Sequence, residues 1–142
     1  LSYYKGEYFS LARPLNVSRL IYGVPSNSRG LGIHLVINMA GGMRLGPNAF
    51  PVEALEYSVD PQHKNEFFRQ TQRYFDGIVP EDLQPDTAGI RPKLAAANEF
   101  NDFIIKEESP RGLPGFVNLV GIESPGLTAC GAIARHVAQI IH

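Results

Sequence analysis

Proline and glycine recur along the whole chain as punctuation, eleven of one and fourteen of the other. What lies between them is cut into short elements. The first half therefore reads as a run of short strands. Residues 1–11 and 19–24 are the first two, separated by a turn at Arg13-Pro14-Leu15-Asn16. Residues 32–38 are rich in Ile, Leu and Val, Ala40-Gly41-Gly42 turns tightly, and residues 43–45 return. That is the pattern of a β-hairpin. Residues 55–59 read as a further strand.

Helix follows. Asp60 suits an N-cap and Pro61 the first helical position. Phe67, Phe68, Thr71, Tyr74 and Phe75 then share one face, predicting a helix that ends near Gly77. Residues 79–84 read as a single turn, 87–93 as a strand and 95–101 as a surface loop. Residues 103–106 and 116–120 alternate like paired strands around a turn at 109–115. Pro125-Gly126 opens the last helix, whose apolar side carries Leu127, Cys130, Ile133, Ala134, Val137, Ile140 and Ile141. The sum is an α+β fold: a mostly antiparallel sheet with a packed helix, then two strands and a terminal helix.

The bulk numbers exclude more than they assign. A length of 142 residues allows one domain with a real core. A formal net charge of −1 offers no electrostatic case for nucleic acid or an anionic membrane, and no basic run could track a phosphate backbone. The apolar stretches are too short to span a bilayer. The single cysteine, Cys130, excludes a disulfide framework within the chain and fits a reducing, intracellular compartment. Cytoplasm is the first expectation, with a mitochondrial or membrane-peripheral place left open. The chain opens at Leu1 in strand-like residues, with no basic start followed by an apolar run, so it reads as a fragment or a processed product.

Three segments carry chemistry. In the first, the apolar strand ending at Val120 runs through Gly121, Ile122, Glu123, Ser124 and Pro125 into a helix that begins with Gly126, Leu127 and Thr128. Such a bend aims backbone N–H groups and the positive end of a helix dipole at one spot, which suits an anion or developing negative charge. An ordinary capped turn explains the same residues. A serine-hydrolase elbow at Ser124 fails, because Ile122 stands where the first glycine of G-x-S-x-G belongs and no Asp follows. In the second segment, Arg91 lies between Ile90 and Pro92, placed to grip a carboxylate bidentately, with Lys93 on the same side of the strand. The competing reading is a structural ion pair. In the third, His34 sits among aliphatic residues as a candidate general base for oxidation at a hydroxyl carbon. A buried histidine satisfied by backbone is the alternative. Arg44, on the returning strand, reads as a surface residue. The four histidines show no metal spacing, and no G-x-G-x-x-G opens a helix.

Taken in order, Lys5-Gly6-Glu7-Tyr8-Phe9, Gly32-Ile33-His34-Leu35, Arg44-Leu45-Gly46-Pro47-Asn48, the 57–60 and 88–94 segments and the 121–129 bend resemble the C-terminal half of the D-amino-acid-oxidase-like FAD oxidoreductases. Within that superfamily they look most like the L-2-hydroxyglutarate dehydrogenase/oxidase branch. The resemblance covers nearly the whole chain. It implies a substrate-binding domain over 1–88 and, over 89–142, the closing part of an FAD-binding domain whose N-terminal segment is missing. It implies that residues 121–128 face the flavin and that Arg91 binds a small carboxylate substrate. His34 becomes a base or orienting residue, and the chemistry oxidation of a 2-hydroxy acid to a 2-oxo acid. A fragment without the N-terminal segment is expected to bind FAD poorly, to be inactive alone and to expose apolar edges that favour homo-oligomers. Two other readings stay open: an amino-acid or amine oxidase of the same superfamily, and a non-catalytic ligand-binding α+β module.

Overall fold

The computed structural model describes residues 1–24, 32–94 and 102–141. The chain divides into two compact units, Tyr3–Arg91 and Leu1–Ser2 with Pro92–His142. The loop expected over 95–101 lies outside the described residues, as do Gly30 and Leu31 of the His34 segment.

The first unit is built on one sheet. Strand β1 (Ser2–Leu11) is its centre. Strands β2 (His34–Ile37) and β3 (Met43–Gly46) form the expected hairpin, with Leu35 opposite Leu45 and Val36 opposite Arg44. Its turn is tied by Asn38, whose side-chain oxygen accepts the N–H groups of Ala40 and Gly42 at 3.0 and 2.8 Å, and Gly41 supplies the positive φ of 82°. β3 pairs antiparallel with β1, Phe9 opposite Leu45. Strand β4 (Phe50–Val52) pairs with the earlier part of β1, Lys5 opposite Phe50. Between these registers, residues 46–49 face only residues 6–8, so the β3–β4 run carries one extra residue, a bulge. Strand β5 (Leu83–Lys93) also pairs with β1.

One face of this sheet makes the core. Phe9, Leu35 and Leu45 point the same way and are fully buried with Phe67 from helix α1 (Lys64–Thr71), Ile33, Ile78 and Leu83. The Phe9 and Phe67 rings are 4.7 Å apart and tilted. Each such side chain contributes about 1.5–3 kcal/mol through burial. Farther along β1 the same alternation sends Lys5 and Glu7 inward, both buried. Glu7 accepts from Asp60 N–H at 3.2 Å, Asn48 Nδ2 at 3.3 Å and His63 Nδ1 at 2.5 Å, and its backbone N–H donates to Asn48 Oδ1. Lys5 lies 3.5 Å from Glu7 and 2.9 Å from Glu56. Burial alone would lower the Lys5 pKa, but the hydrogen bond and charge of Glu56, with Glu7, raise it. A charged pair is thus tolerated in the interior because each partner is hydrogen-bonded.

Several expectations need correction. Residues 55–59 are not a strand. β4 at Phe50–Val52 already occupies the edge of β1, and Glu56 is drawn to Lys5. Residues 19–24 contribute one bridge, Ile21 with Leu35, not a strand. Asp60 does cap, accepting from Gln62 N–H, but a 3-10 turn (Pro61–His63) precedes α1. α1 stops at Thr71 rather than near Gly77, and Tyr74 and Phe75 are delivered by turns closing on the Thr71 carbonyl. The Tyr74 hydroxyl donates to the Ile33 carbonyl at 2.9 Å, which fixes that end. His63, at the end of the 3-10 turn, is partly buried with its Nδ1 on the Glu7 carboxylate.

In the second unit, strands β6 (Ile104–Glu108) and β7 (Leu113–Val120) form an antiparallel hairpin, Ile105 opposite Leu119. The Glu107 carboxylate organises its turn, accepting from Ser109 N–H, Ser109 Oγ and Gly115 N–H, and these bonds lower its pKa. Helix α2 (Gly126–Ile141) packs along β6. Its partly buried stripe is Ala129, Ile133, Val137 and Ile140; Leu127, Cys130, Ala134 and Ile141, expected on that side, are exposed. No helix among the described residues is long and apolar enough to cross a membrane.

Candidate functional site

The face of the first sheet turned away from the core gathers polar and aromatic groups. Alternation along β1 that buries Glu7 and Phe9 sends Tyr8 to this side. Register does the rest: Ser10 lies opposite Arg44, and His34 opposite Gly46. Gly46, at φ 141°, has no side chain because the Tyr8 ring lies against it; a Cβ there would stand 2.7 Å from Tyr8 Cδ1 and 2.6 Å from the Glu7 carbonyl.

His34 is buried and doubly fixed. Its ring stacks on Tyr22, centroids 4.3 Å apart, and its Nδ1 is 2.9 Å from the Gly32 carbonyl. A carbonyl oxygen only accepts, so Nδ1 carries the proton and Nε2 is left with a lone pair. The backbone partner expected for a structural histidine is therefore present, and it also sets the tautomer a base would need.

Arg44 is not simply a surface residue. It extends from β3 to β5, with Nε 3.4 Å from Asp86 Oδ2 and Nη1 3.4 Å from Thr87 Oγ1. Arg91 stands on β5, exposed, and its charge acts on Tyr8 together with that of Arg44. Burial raises the Tyr8 phenol above its ordinary pKa of 10.0, while the two guanidinium groups oppose that shift. Tyr8 therefore stays a hydrogen-bond donor at neutral pH. The hairpin register thus puts His34 and Arg44 on one sheet face with Tyr8, Tyr22 stacks on His34, and Arg91 is near enough for its charge to act on Tyr8. The sequence signal for Arg44 was the hairpin, since pairing across the glycine turn puts Arg44 opposite Val36, two residues from His34. Lys93 ends the same strand as Arg91.

The bend lies in the second unit. Gly121 has φ 72°, and a Cβ there would run into the Leu94 side chain. Glu123 N–H donates to the Gly121 carbonyl at 2.9 Å and Gly126 N–H to the Glu123 carbonyl at 2.6 Å. Ile122 packs on buried Gly126, while Ser124, Pro125, Leu127 and Thr128 are exposed. The first-turn N–H groups of Leu127 and Thr128 have no acceptor within their own helix. No group of His, Cys, Asp and Glu able to hold a metal occurs among the described residues.

Residues 2–140 match the family described as FAD dependent oxidoreductase (DAO). The chain belongs to this family. It is 37% identical to the mitochondrial L-2-hydroxyglutarate dehydrogenase of Arabidopsis thaliana, over 96% of this chain and 31% of that protein. It is 30% identical to a glycerol 3-phosphate oxidase of Mycoplasma genitalium, over 97% of this chain and 35% of that protein. The DAO chain therefore spans about a third of the length of these curated relatives. In fold it is similar to the dithionite-reduced, FAD-bound L-α-glycerophosphate oxidase of Mycoplasma pneumoniae, with a TM-score of 0.74 at 22% identity, covering 99% of this chain and 36% of that one.

Proposed function

We propose that this DAO chain serves the FAD-dependent oxidation of a small 2-hydroxy acid, of the L-2-hydroxyglutarate kind, to the 2-oxo acid. The observation that carries the reading is the sheet face shared by His34, Tyr8 and Arg44, with the Arg91 charge acting on Tyr8, in a chain 37% identical to an L-2-hydroxyglutarate dehydrogenase. In this reading Tyr3–Arg91 is the substrate side and the second unit the cofactor side.

Bound FAD supplies the two-electron oxidant. The bend fits such a group: glycine at positive φ, a buried glycine at the helix start and first-turn N–H groups offer donors to an electron-rich ring edge. Gly121, Ile122, Glu123, Ser124, Pro125, Gly126, Leu127 and Thr128 would hold it. The rest falls to the other unit. Arg91 pairs with the substrate carboxylate, and Lys93, two residues on along β5 and just inside the second unit, adds positive potential. His34 takes the proton of the 2-hydroxyl on Nε2, which the Gly32 carbonyl keeps available by holding the other nitrogen's proton. The Tyr8 phenol donates to the bound acid.

The test uses the full-length flavoprotein, mixed without oxygen with L-2-hydroxyglutarate, glycerol 3-phosphate or an amino acid. Rapid loss of the oxidised flavin's visible absorbance with the hydroxy acid is expected. Loss with the amino acid alone would sink the reading. The glycerol 3-phosphate oxidase relative favours one second reading, in which a phosphate takes the carboxylate's place, and the second substrate decides it. Arg91→Ala is expected to raise KM by an amount equivalent to ~2–5 kcal/mol of binding; an unchanged KM removes Arg91 from the site.

A further inference from the structure

We infer that Arg44 sets substrate specificity by taking a second carboxylate, at the end of the substrate far from the carbon oxidised. The site then prefers a 2-hydroxydicarboxylate to a 2-hydroxymonocarboxylate. This rests on the function proposed above.

The hairpin register places this guanidinium. Ser10 opposite Arg44 and His34 opposite Gly46 put Arg44 on the same sheet face as His34, one alternate position along β3. The Tyr8 ring, against Gly46, lies beside both. The Arg44 side chain crosses toward β5 and is only about one-third exposed, with 32% of its surface open. It is therefore held over the sheet and does not trail into solvent.

Its partners orient the guanidinium more than they satisfy it. Each contact, to Asp86 and to Thr87, is 3.4 Å long and made through a single nitrogen. A fully formed guanidinium–carboxylate bond is about 2.7–2.9 Å and is often bidentate. A substrate carboxylate can make that shorter, two-point contact, with Asp86 and Thr87 keeping the plane of the group in register. The depressing effect of both Arg44 and Arg91 on the Tyr8 phenol agrees with two positive groups near that ring. A mere tie between β3 and β5 would use the same contacts, so the experiment must separate the two roles.

The full-length protein with FAD bound is assayed on L-2-hydroxyglutarate and on L-2-hydroxyvalerate, which has the same chain length and a methyl in place of the distal carboxylate. Arg44→Met is expected to lower kcat/KM for the dicarboxylate about thirtyfold, through KM, and to leave the monocarboxylate within about threefold. Arg44→Lys keeps the charge and is expected to recover part of the loss. Equal losses on both substrates, or no loss on the dicarboxylate, would overturn the inference and leave Arg44 as a cross-strand tie. A wild-type flavin that no 2-hydroxy acid reduces fails at an earlier step: it refutes the proposed function itself, and this inference with it.

Discussion

The two units, one built mainly of strands and the other of a hairpin and a long helix, keep their apolar residues differently. Among the described residues, the seven buried apolar side chains all lie in the first unit, between Phe9 and Leu83. Among the described residues of the second, only Glu108 and Gly126 are buried, and Ile104, Leu113, Phe116, Leu119, Leu127 and Ile141 are about half exposed or more. The first unit thus supplies its own interior, while the second has regular elements and almost none. The lesson is that hydrogen bonds and periodicity suffice to define a hairpin and a helix, whereas stability follows what covers them.

The sharpest way to break that comparison is a pair of truncations in the 142-residue chain. Phe67→Ala should cost about 3–5 kcal/mol in urea unfolding. Ile133→Ala, on the partly buried stripe of α2, should cost well under half of that. Equal losses would mean that the second unit has an interior after all. Next comes Glu7→Gln, which removes the charge facing Lys5 and His63 inside the first unit; about 3 kcal/mol is expected. Stability unchanged in that variant would show that the buried charges are not coupled.

The smallest effect is a pH dependence. The Val79 backbone N–H and then Arg13 hold the Asp82 carboxyl below its ordinary value of 3.8. A carboxyl lowered in the folded state adds stability that is complete above the unfolded value and fades as pH falls through the folded one. The gap between wild type and Asp82→Asn should therefore be open at neutral pH and close in acid below 3.8. Glu107 is lowered as well, but it stands in an exposed turn of the second unit, so Glu107→Gln should show a smaller gap. A larger one would reverse the comparison.

How much of this was legible depended on range along the chain. β1, the hairpin with its Gly41-Gly42 turn, the Asp60-Pro61 cap and the start of α2 are local patterns, and each was readable from neighbours. Residues 55–59 alternate like a strand and are none, because strand formation needs a free edge and β4 holds it. Phe50-Pro51-Val52 is a strand despite a central proline, which argues against one in isolation. His34 and Arg91 were candidates by residue type and setting. Tyr8 was not, because what recommends it is a shared side of a sheet, and that follows from pairing between residues that lie far apart in the chain; for Arg44 the hairpin register was the one local signal. The α2 stripe was displaced from its expected positions for a related reason: an apolar helix offers several sides, and only its neighbour selects one.

The extra residue between β3 and β4 has an effect beyond bending the strand. Before it, even-numbered positions such as Arg44 match even-numbered ones on β1 and look toward Tyr8; after it, Phe50 matches Lys5 and looks toward the opposite side, where its ring meets His63 edge-on at 5.4 Å. A few consecutive residues thereby furnish a guanidinium to one surface and an aromatic wall to the other. Deleting any one of residues 47–49 would exchange these sides for everything that follows in the strand.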